Sequence, residues 1–292
     1  AQKLLEIIID KHKNGDLDKS PDAFTYNSVM AAYAKQGDVD GAQKVLDRMQ
    51  MDYEAGNKAA KPDIRSYNVL IDCWAKSSKP DAPRGAQKLL EIIIDKHKSG
   101  ELDEGPNAVT YCSVMAAYAK QGDVAGAQKV LDRMQADYDA GNKAVKPNIR
   151  SYNVLIGCWT KSNSPDAPRE AVKLLDTIIA KYKSADLDEG PNVVTYSSVM
   201  TAYAKQGDVV GAQKVFDRMQ LDYDSGNKAA KPDIQSYSIL VDCWAKSNHK
   251  DSSRAAEKLL NSITAKFQSG ELDAVTYSSL MAAYAKQGDV SQ

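Results

Sequence analysis

Little in this sequence suits metal or nucleophilic chemistry. Its 292 residues include only 3 His and 4 Cys. There is no CxxC pair and no Cys/His cluster, so no metal site is expected. No Gly-rich phosphate loop is present, and His12, His97 and His249 have no repeated Ser or Asp constellation around them. An enzyme is therefore not expected, and neither is a cofactor. No apolar run approaches the ~20 residues that span a bilayer, and no signal segment is visible. Charge of one sign is also missing. The 38 Lys and Arg nearly cancel the 39 Asp and Glu, for a net charge of −1. Such balance gives no bulk attraction to a polyanion, so any nucleic-acid surface has to come from local arrangement. The strand pattern of alternating apolar residues is absent as well. What remains is a composition 43% hydrophobic and 26% charged, ample for a packed core.

What is present above all is repetition. Thr/Ser-Tyr recurs at Tyr26, Tyr67, Tyr111, Tyr152, Tyr196, Tyr237 and Tyr277, in steps of 41, 44, 41, 44, 41 and 40 residues. A 41+44 pair makes an 85-residue superrepeat, and TYNSVMAAYAKQGDVDGAQKVLDRMQ from Thr25 differs from its copy at Thr110 at only two positions. Each unit holds two helical patterns. Tyr26, Val29, Met30 and Tyr33 share one helix face, Gly37 is a left-handed terminator, and Asp38 caps a second helix carrying Ala42, Val45, Leu46 and Met49. Even-numbered units hold three extra residues between the helices, as in SSKPDAPRGAQ. One such pair cannot bury its apolar stripe alone, so the units are expected to stack. The expected fold is all-α: a right-handed superhelical α-solenoid forming a single array over 1–292. Its repeats are 23–63, 64–107, 108–148, 149–192, 193–233 and 234–273, with partial repeats at 1–22 and 274–292. The chain opens and closes inside a unit, so a targeting segment could precede it, and the uncapped terminal helices could associate end to end.

The pattern xxTYNxxMxAYAKxGDxxxAxxVxxxM, ending in K-P-D or G-P-N, resembles the pentatricopeptide repeat. The resemblance covers nearly the whole chain. The units are longer than the family's ~35 residues, with the excess at the end of the second helix (QMDYEAGNKAAKPD), which should lengthen that helix or its exit loop. The resemblance implies single-stranded RNA binding, one base per repeat, on the concave face. It also implies a mitochondrial or plastid location. In this family the residue after the Tyr reads the base edge, together with the last residue of the unit. The implied pairs are Asn27 with Asp63, Asn68 with Asn107, Cys112 with Asn148, Asn153 with Asn192, and Ser197 with Asp233. Ser238 follows with Asp273, which aligns better with Asp103. The implied target is roughly 5′-UYNYGG-3′.

The residues themselves offer a compatible surface. Asn27, Ala31 and Lys35 lie four apart on one stripe opposite the core face. An amide there can donate and accept toward a base edge. Phe24, Val109 and Val194 in odd units, and Arg65, Arg150 and Gln235 in even units, stand one turn earlier as a stacking wall. Lys35, Lys76, Lys120, Lys161, Lys205 and Lys246, with Lys286 beyond them, are expected to follow a phosphate chain. Lysines near helix C-termini could equally serve the helix dipole. Asp72 and Asp242 either oppose phosphate or form i,i+4 ion pairs with Lys76 and Lys246. Cys73, Cys158 and Cys243 are expected in the core, and Cys112 exposed at a reading position. Free thiols suit a reducing compartment. The competing function is a structural or protein-binding solenoid that stacks into filaments.

Overall fold

The computed structural model describes residues 2–247 and, past them, positions 254, 255, 257–259, 261, 263, 278 and 281. His249, Asp273, Tyr277, Lys286 and all of the expected partial repeat 274–292 but positions 278 and 281 lie outside the described residues. Among the described residues the regular structure is entirely helical. Two compact units are formed, 1–147 and 148–292.

The first unit contains α1 (Gln2–Lys13), α2 (Ala23–Gln36), α3 (Val39–Glu54), α4 (Ile64–Lys76), α5 (Ala82–Lys98), α6 (Ala108–Gln121) and α7 (Val124–Asp139). α2, α4 and α6 pack side by side, and α3, α5 and α7 each pack on the helix before them. The second unit repeats this with α8 (Ile149–Lys161), α9 (Ala167–Lys183), α10 (Val193–Lys205), α11 (Val209–Asp224) and α12 (Ile234–Lys246). Here α8, α10 and α12 adjoin, and α9 and α11 lie against them. The core sits between the two layers. Tyr26, Met30 and Met49 are sealed in it, as are Leu70, Ile71, Leu90 and Ile93.

Short-range chemistry sets the hairpins. Gly37 takes φ 66 and ψ 21 and closes α2, a conformation that costs other residues about 1–2 kcal/mol. Asp38 then accepts the Gly41 amide and caps α3. Gly41 itself is needed for space, since a methyl group there would lie 2.4 Å from the Tyr33 ring. In even units residues 77–81 replace this tight turn, and Pro83 sits in the first turn of α5, where its missing N–H is not needed. Lys79 in that loop forms an ion pair with Asp40 of the preceding hairpin at 2.8 Å.

The residues after α3 form an ordered exit. Gly56 takes φ 107, and Lys58–Ala60 make a 3-10 turn. Lys58 stands 4.8 Å from the centroid of the Tyr53 ring, and Asn57 Nδ2 donates to the Pro21 carbonyl at 2.8 Å. The same exit recurs at Lys143–Val145 and Lys228–Ala230. The Tyr of each odd unit ties the two layers together: Tyr26 donates to Asp52, Tyr111 to Asp137 and Tyr196 to Asp222. Burial, and then the bond to the carboxylate, raises the phenol pKa of Tyr26 and Tyr111.

Gly37 and Gly15 both have positive φ, yet only at Gly37 would a methyl group meet backbone, 2.9 Å from the Lys76 oxygen and Ser77 Cα. Gly37→Ala should therefore lower the urea midpoint clearly more than Gly15→Ala, which carries only the left-handed strain. Equal losses would mean that α2 and the end of α4 do not meet as described.

Candidate nucleic-acid interface

Each first helix begins with a capped turn. The N-caps are Asp63, Asn107, Asn148, Asn192 and Asp233, all in extended backbone, and each forms a reciprocal capping box with the residue three positions on. Those partners, Ser66, Thr110, Ser151, Thr195 and Ser236, are fully buried. The cap oxygen satisfies an amide that the first helical turn leaves bare. Asp63, for example, accepts Ser66 N–H at 2.9 Å.

The residues expected to partner the reading positions are thus helix caps, and two of them directly touch the side chain expected to read a base on the hairpin before. Asn27 Nδ2 donates to Asp63 Oδ1 at 3.4 Å, and Asn153 Nδ2 to Asn192 Oδ1 at 3.4 Å. Asn68 approaches Asn107 through a third residue: Thr110 Oγ1 donates to Asn68 Oδ1 at 2.7 Å and lies 3.2 Å from Asn107 Oδ1. Ser197 meets Ser236 at 3.4 Å, and Ser236 donates to Asp233 at 2.7 Å. Ser238 Oγ donates to the Ile234 carbonyl of its own helix at 2.8 Å. Asn27, Asn68, Asn153, Ser197 and Ser238 are half-buried. Asn27 Oδ1 is buried and has no hydrogen-bond partner.

Cys112 departs from its expected exposure. It is 1% exposed, its small thiol lying where the other units place a half-buried amide or hydroxyl. Asn148, its expected partner, caps α8 in the second unit. None of the four cysteines is in a disulfide and all are buried. Burial pushes the Cys73 thiol up to about 11 and the Cys243 thiol to about 12.

The wall positions face solvent: Phe24 is 78% exposed, and Arg65, Val109, Arg150, Val194 and Gln235 are exposed as well. The six lysines divide. Lys76 and Lys246 pair with Asp72 and Asp242 at 2.6 Å, so the i,i+4 alternative is the geometry found. Lys120 Nζ donates to the Lys76 carbonyl and, at 2.8 Å, to the Ser77 carbonyl, while Lys205 Nζ donates to the Thr160 carbonyl at 2.6 Å. These two hold the last carbonyls of the preceding first helix, which lack intrahelical partners. Lys35 and Lys161 have no partner among the described residues and are exposed.

The buried N3 hydroxyls were not among the residues singled out in the sequence. Their signal is the Thr/Ser before each Tyr, three positions after Asp or Asn, which is the spacing of a capping box. Among the described residues no cluster could hold a metal ion, and no helix is long and apolar enough to cross a membrane.

Helical hairpins in tandem, with half-buried polar side chains at Asn27 and Asn68 in the first unit and at Asn153, Ser197 and Ser238 in the second, define an all-helical repeat protein. The PPR repeat family model matches residues 21–76 and 191–246, the pentatricopeptide repeat domain model residues 96–162, and a PPR repeat model residues 275–292. The chain belongs to the pentatricopeptide repeat family. A pentatricopeptide repeat-containing protein of Arabidopsis thaliana is 30% identical over 145 residues, 49% of this chain and 22% of that protein. Two others from the same plant, named chloroplastic and mitochondrial, are each 25% identical, over 78% and 83% of this chain and 25% and 29% of theirs. The chain thus spans about a quarter of the length of these relatives. Among solved structures, the maize pentatricopeptide repeat protein PPR10 is 23% identical with a TM-score of 0.36, over 96% of this chain and 48% of that one. PPR10 in complex with an 18-nt psaJ RNA element is 24% identical with a TM-score of 0.35, over 92% and 48%.

A thiol reagent at pH 8 should label Cys112 no faster than Cys73 or Cys158 in the folded protein, and all four cysteines once it is unfolded. Rapid labelling of Cys112 alone would place it at the surface.

Proposed function

We propose that this chain binds single-stranded RNA, one nucleotide per unit, along the polar file of its first helices. The observation that carries the reading is Asn27. Its amide nitrogen is turned toward Asp63, and its oxygen is buried with no partner. An unpaired buried carbonyl is costly, about 1–3 kcal/mol, so a turn of the Asn27 side chain that brings its oxygen out to a base N–H would be favoured. The exposed ring of Phe24 stands one turn before, where a base could stack on it. Asn68, Asn153, Ser197 and Ser238 take the equivalent position in later units, and Cys112 offers little polar contact there. The resemblance to the family implies a target of roughly 5′-UYNYGG-3′, read by Asn27/Asp63, Asn68/Asn107, Cys112/Asn148, Asn153/Asn192, Ser197/Asp233 and Ser238.

Phosphate contacts rest mainly on Lys35 and Lys161. Lys76, Lys120, Lys205 and Lys246 would each give up a bond within the protein to reach one. The protein acts by occupancy, covering a segment of transcript. Curated relatives named chloroplastic and mitochondrial support an organellar setting.

Fluorescence anisotropy with labelled RNA tests the reading. The matching single strand should bind more tightly than its purine-swapped version, poly-A or the same target as duplex. Equal binding to all would leave only an electrostatic track. No binding, with a particle size that grows with protein concentration, would favour the end-to-end structural alternative.

The lysines make a separate expectation. Lys35→Ala with Lys161→Ala should weaken every RNA alike and reduce the salt slope by about 2. Lys120→Ala should leave the slope nearly unchanged and instead lower thermal stability, since its bonds cap a helix end. The opposite pattern would assign phosphate contact to Lys120.

A further inference from the structure

The tyrosine near the start of each first helix is used differently in odd and even units. Tyr26 and Tyr111 donate to Asp52 and Asp137 on the second helix of their own unit. In the even unit the second helix carries the same GAQK run, and Lys96 follows Gly85 at the spacing at which Asp52 follows Gly41. Tyr67 therefore has an ammonium near it where Tyr26 has a carboxylate. Its ring is packed away, 6% exposed. Burial raises its phenol pKa, and no hydrogen-bond partner holds the hydroxyl among the described residues. A sealed hydroxyl without a partner is costly, and the Tyr67 oxygen is neither bonded nor sealed. It opens into a cavity of about 280 Å³ between α3, α4 and α5, which Tyr53, Lys61, Pro62, Lys96 and Leu102 also line.

The two lysines of this cavity are held by carboxylates. Lys61 Nζ lies 2.9 Å from Asp103, and Lys96 Nζ lies 2.5 Å from Glu101. Both carboxylates are more exposed than the lysines they hold. Ion pairs so open to water contribute little, so an anion reaching both lysines at once can displace them. The carboxylates also show what these ammoniums accept, an oxyanion. Two positive charges beside a neutral phenol suit a dianion better than a monoanion. A phosphate monoester carries about −1.5 to −2 charges at pH 7 and three strong acceptor oxygens, one for each of the three donors. A carboxylate has half the charge and one oxygen fewer. Pro62 and Leu102 leave an apolar wall for a compact group on the ester.

We propose that this cavity binds a small phosphate monoester, with Lys61 and Lys96 pairing its charge and Tyr67 donating to a phosphate oxygen. None of the residues assigned to RNA lines it, so the inference stands apart from the RNA-binding reading.

The test uses the full chain labelled with carbon-13 at tyrosine Cζ, titrated with phenyl phosphate in a buffer free of phosphate. Tyr67→Phe and Tyr26→Phe assign the two signals. The Tyr67 signal should move and saturate, while that of Tyr26, already bonded to Asp52, stays in place. Lys96→Gln should weaken the titration about ten- to a hundredfold, the worth of a hydrogen bond to a charged group. Where Lys96→Gln fails to fold, Lys61→Gln carries the same expectation. Glu101→Gln frees Lys96 and should tighten binding about two- to fivefold. Asp132→Asn makes the same charge change on α7 and should leave it unaltered. Benzenesulfonate, of similar shape with a single charge, should bind more weakly. A Tyr67 signal unmoved by phenyl phosphate, or moving alike in wild type and Lys96→Gln, overturns the site. Benzenesulfonate binding as tightly as phenyl phosphate overturns the assignment to a phosphate monoester.

Discussion

At two places a side chain that caps a helix also joins one hairpin to the next. Asp63 holds the first turn of α4 and, with the same carboxylate oxygen, meets the amide of Asn27 on α2. Asn192 does the same for α10 and Asn153 on α8. The cap fixes where the helix starts, the start fixes which residues face the core, and the core fixes how far neighbouring first helices stand apart. Within each unit the polar side chains of the first helices therefore have their spacing set by folding. Removing such a cap would loosen a helix by about 0.5–2 kcal/mol and at once release the amide it holds on the preceding first helix.

The cations show how a surface pattern can mislead when the partners are not visible. Lysine recurs at the end of every described first helix, and equal spacing invites one role for all. The folded chain gives three: an ion pair within the helix for Lys76 and Lys246, a clamp on foreign carbonyls for Lys120 and Lys205, and open solvent for Lys35 and Lys161. The division follows the neighbours. Asp72 and Asp242 stand one turn back on the even helices only, and the carbonyls that Lys120 and Lys205 reach belong to the even helix before.

Much of the architecture was legible in the sequence because it is set locally. The Tyr26/Val29/Met30 face, the left-handed Gly37 and the Asp38 cap each follow from spacing within one turn or two, and each stands where the pattern put it. What the sequence hid depends on separations of about forty residues. Nothing near Cys112 announces its burial, and nothing near Thr110 announces Asn68. The exit after α3 was legible as extra length but not as an ordered turn, since Asn57 finds its partner at Pro21.

The double duty of the capping residues carries a consequence for how such a chain can change over generations. Asp, Asn and Ser serve almost equally well at the start of a helix, with Thr close behind and apolar residues far worse. Drift at Asp63, Asn107 or Asn192 is thus confined to a small alphabet of short polar residues. Within that alphabet, exchange costs the fold little, so the chemistry these positions present can be rewritten one letter at a time without a detour through an unfolded protein.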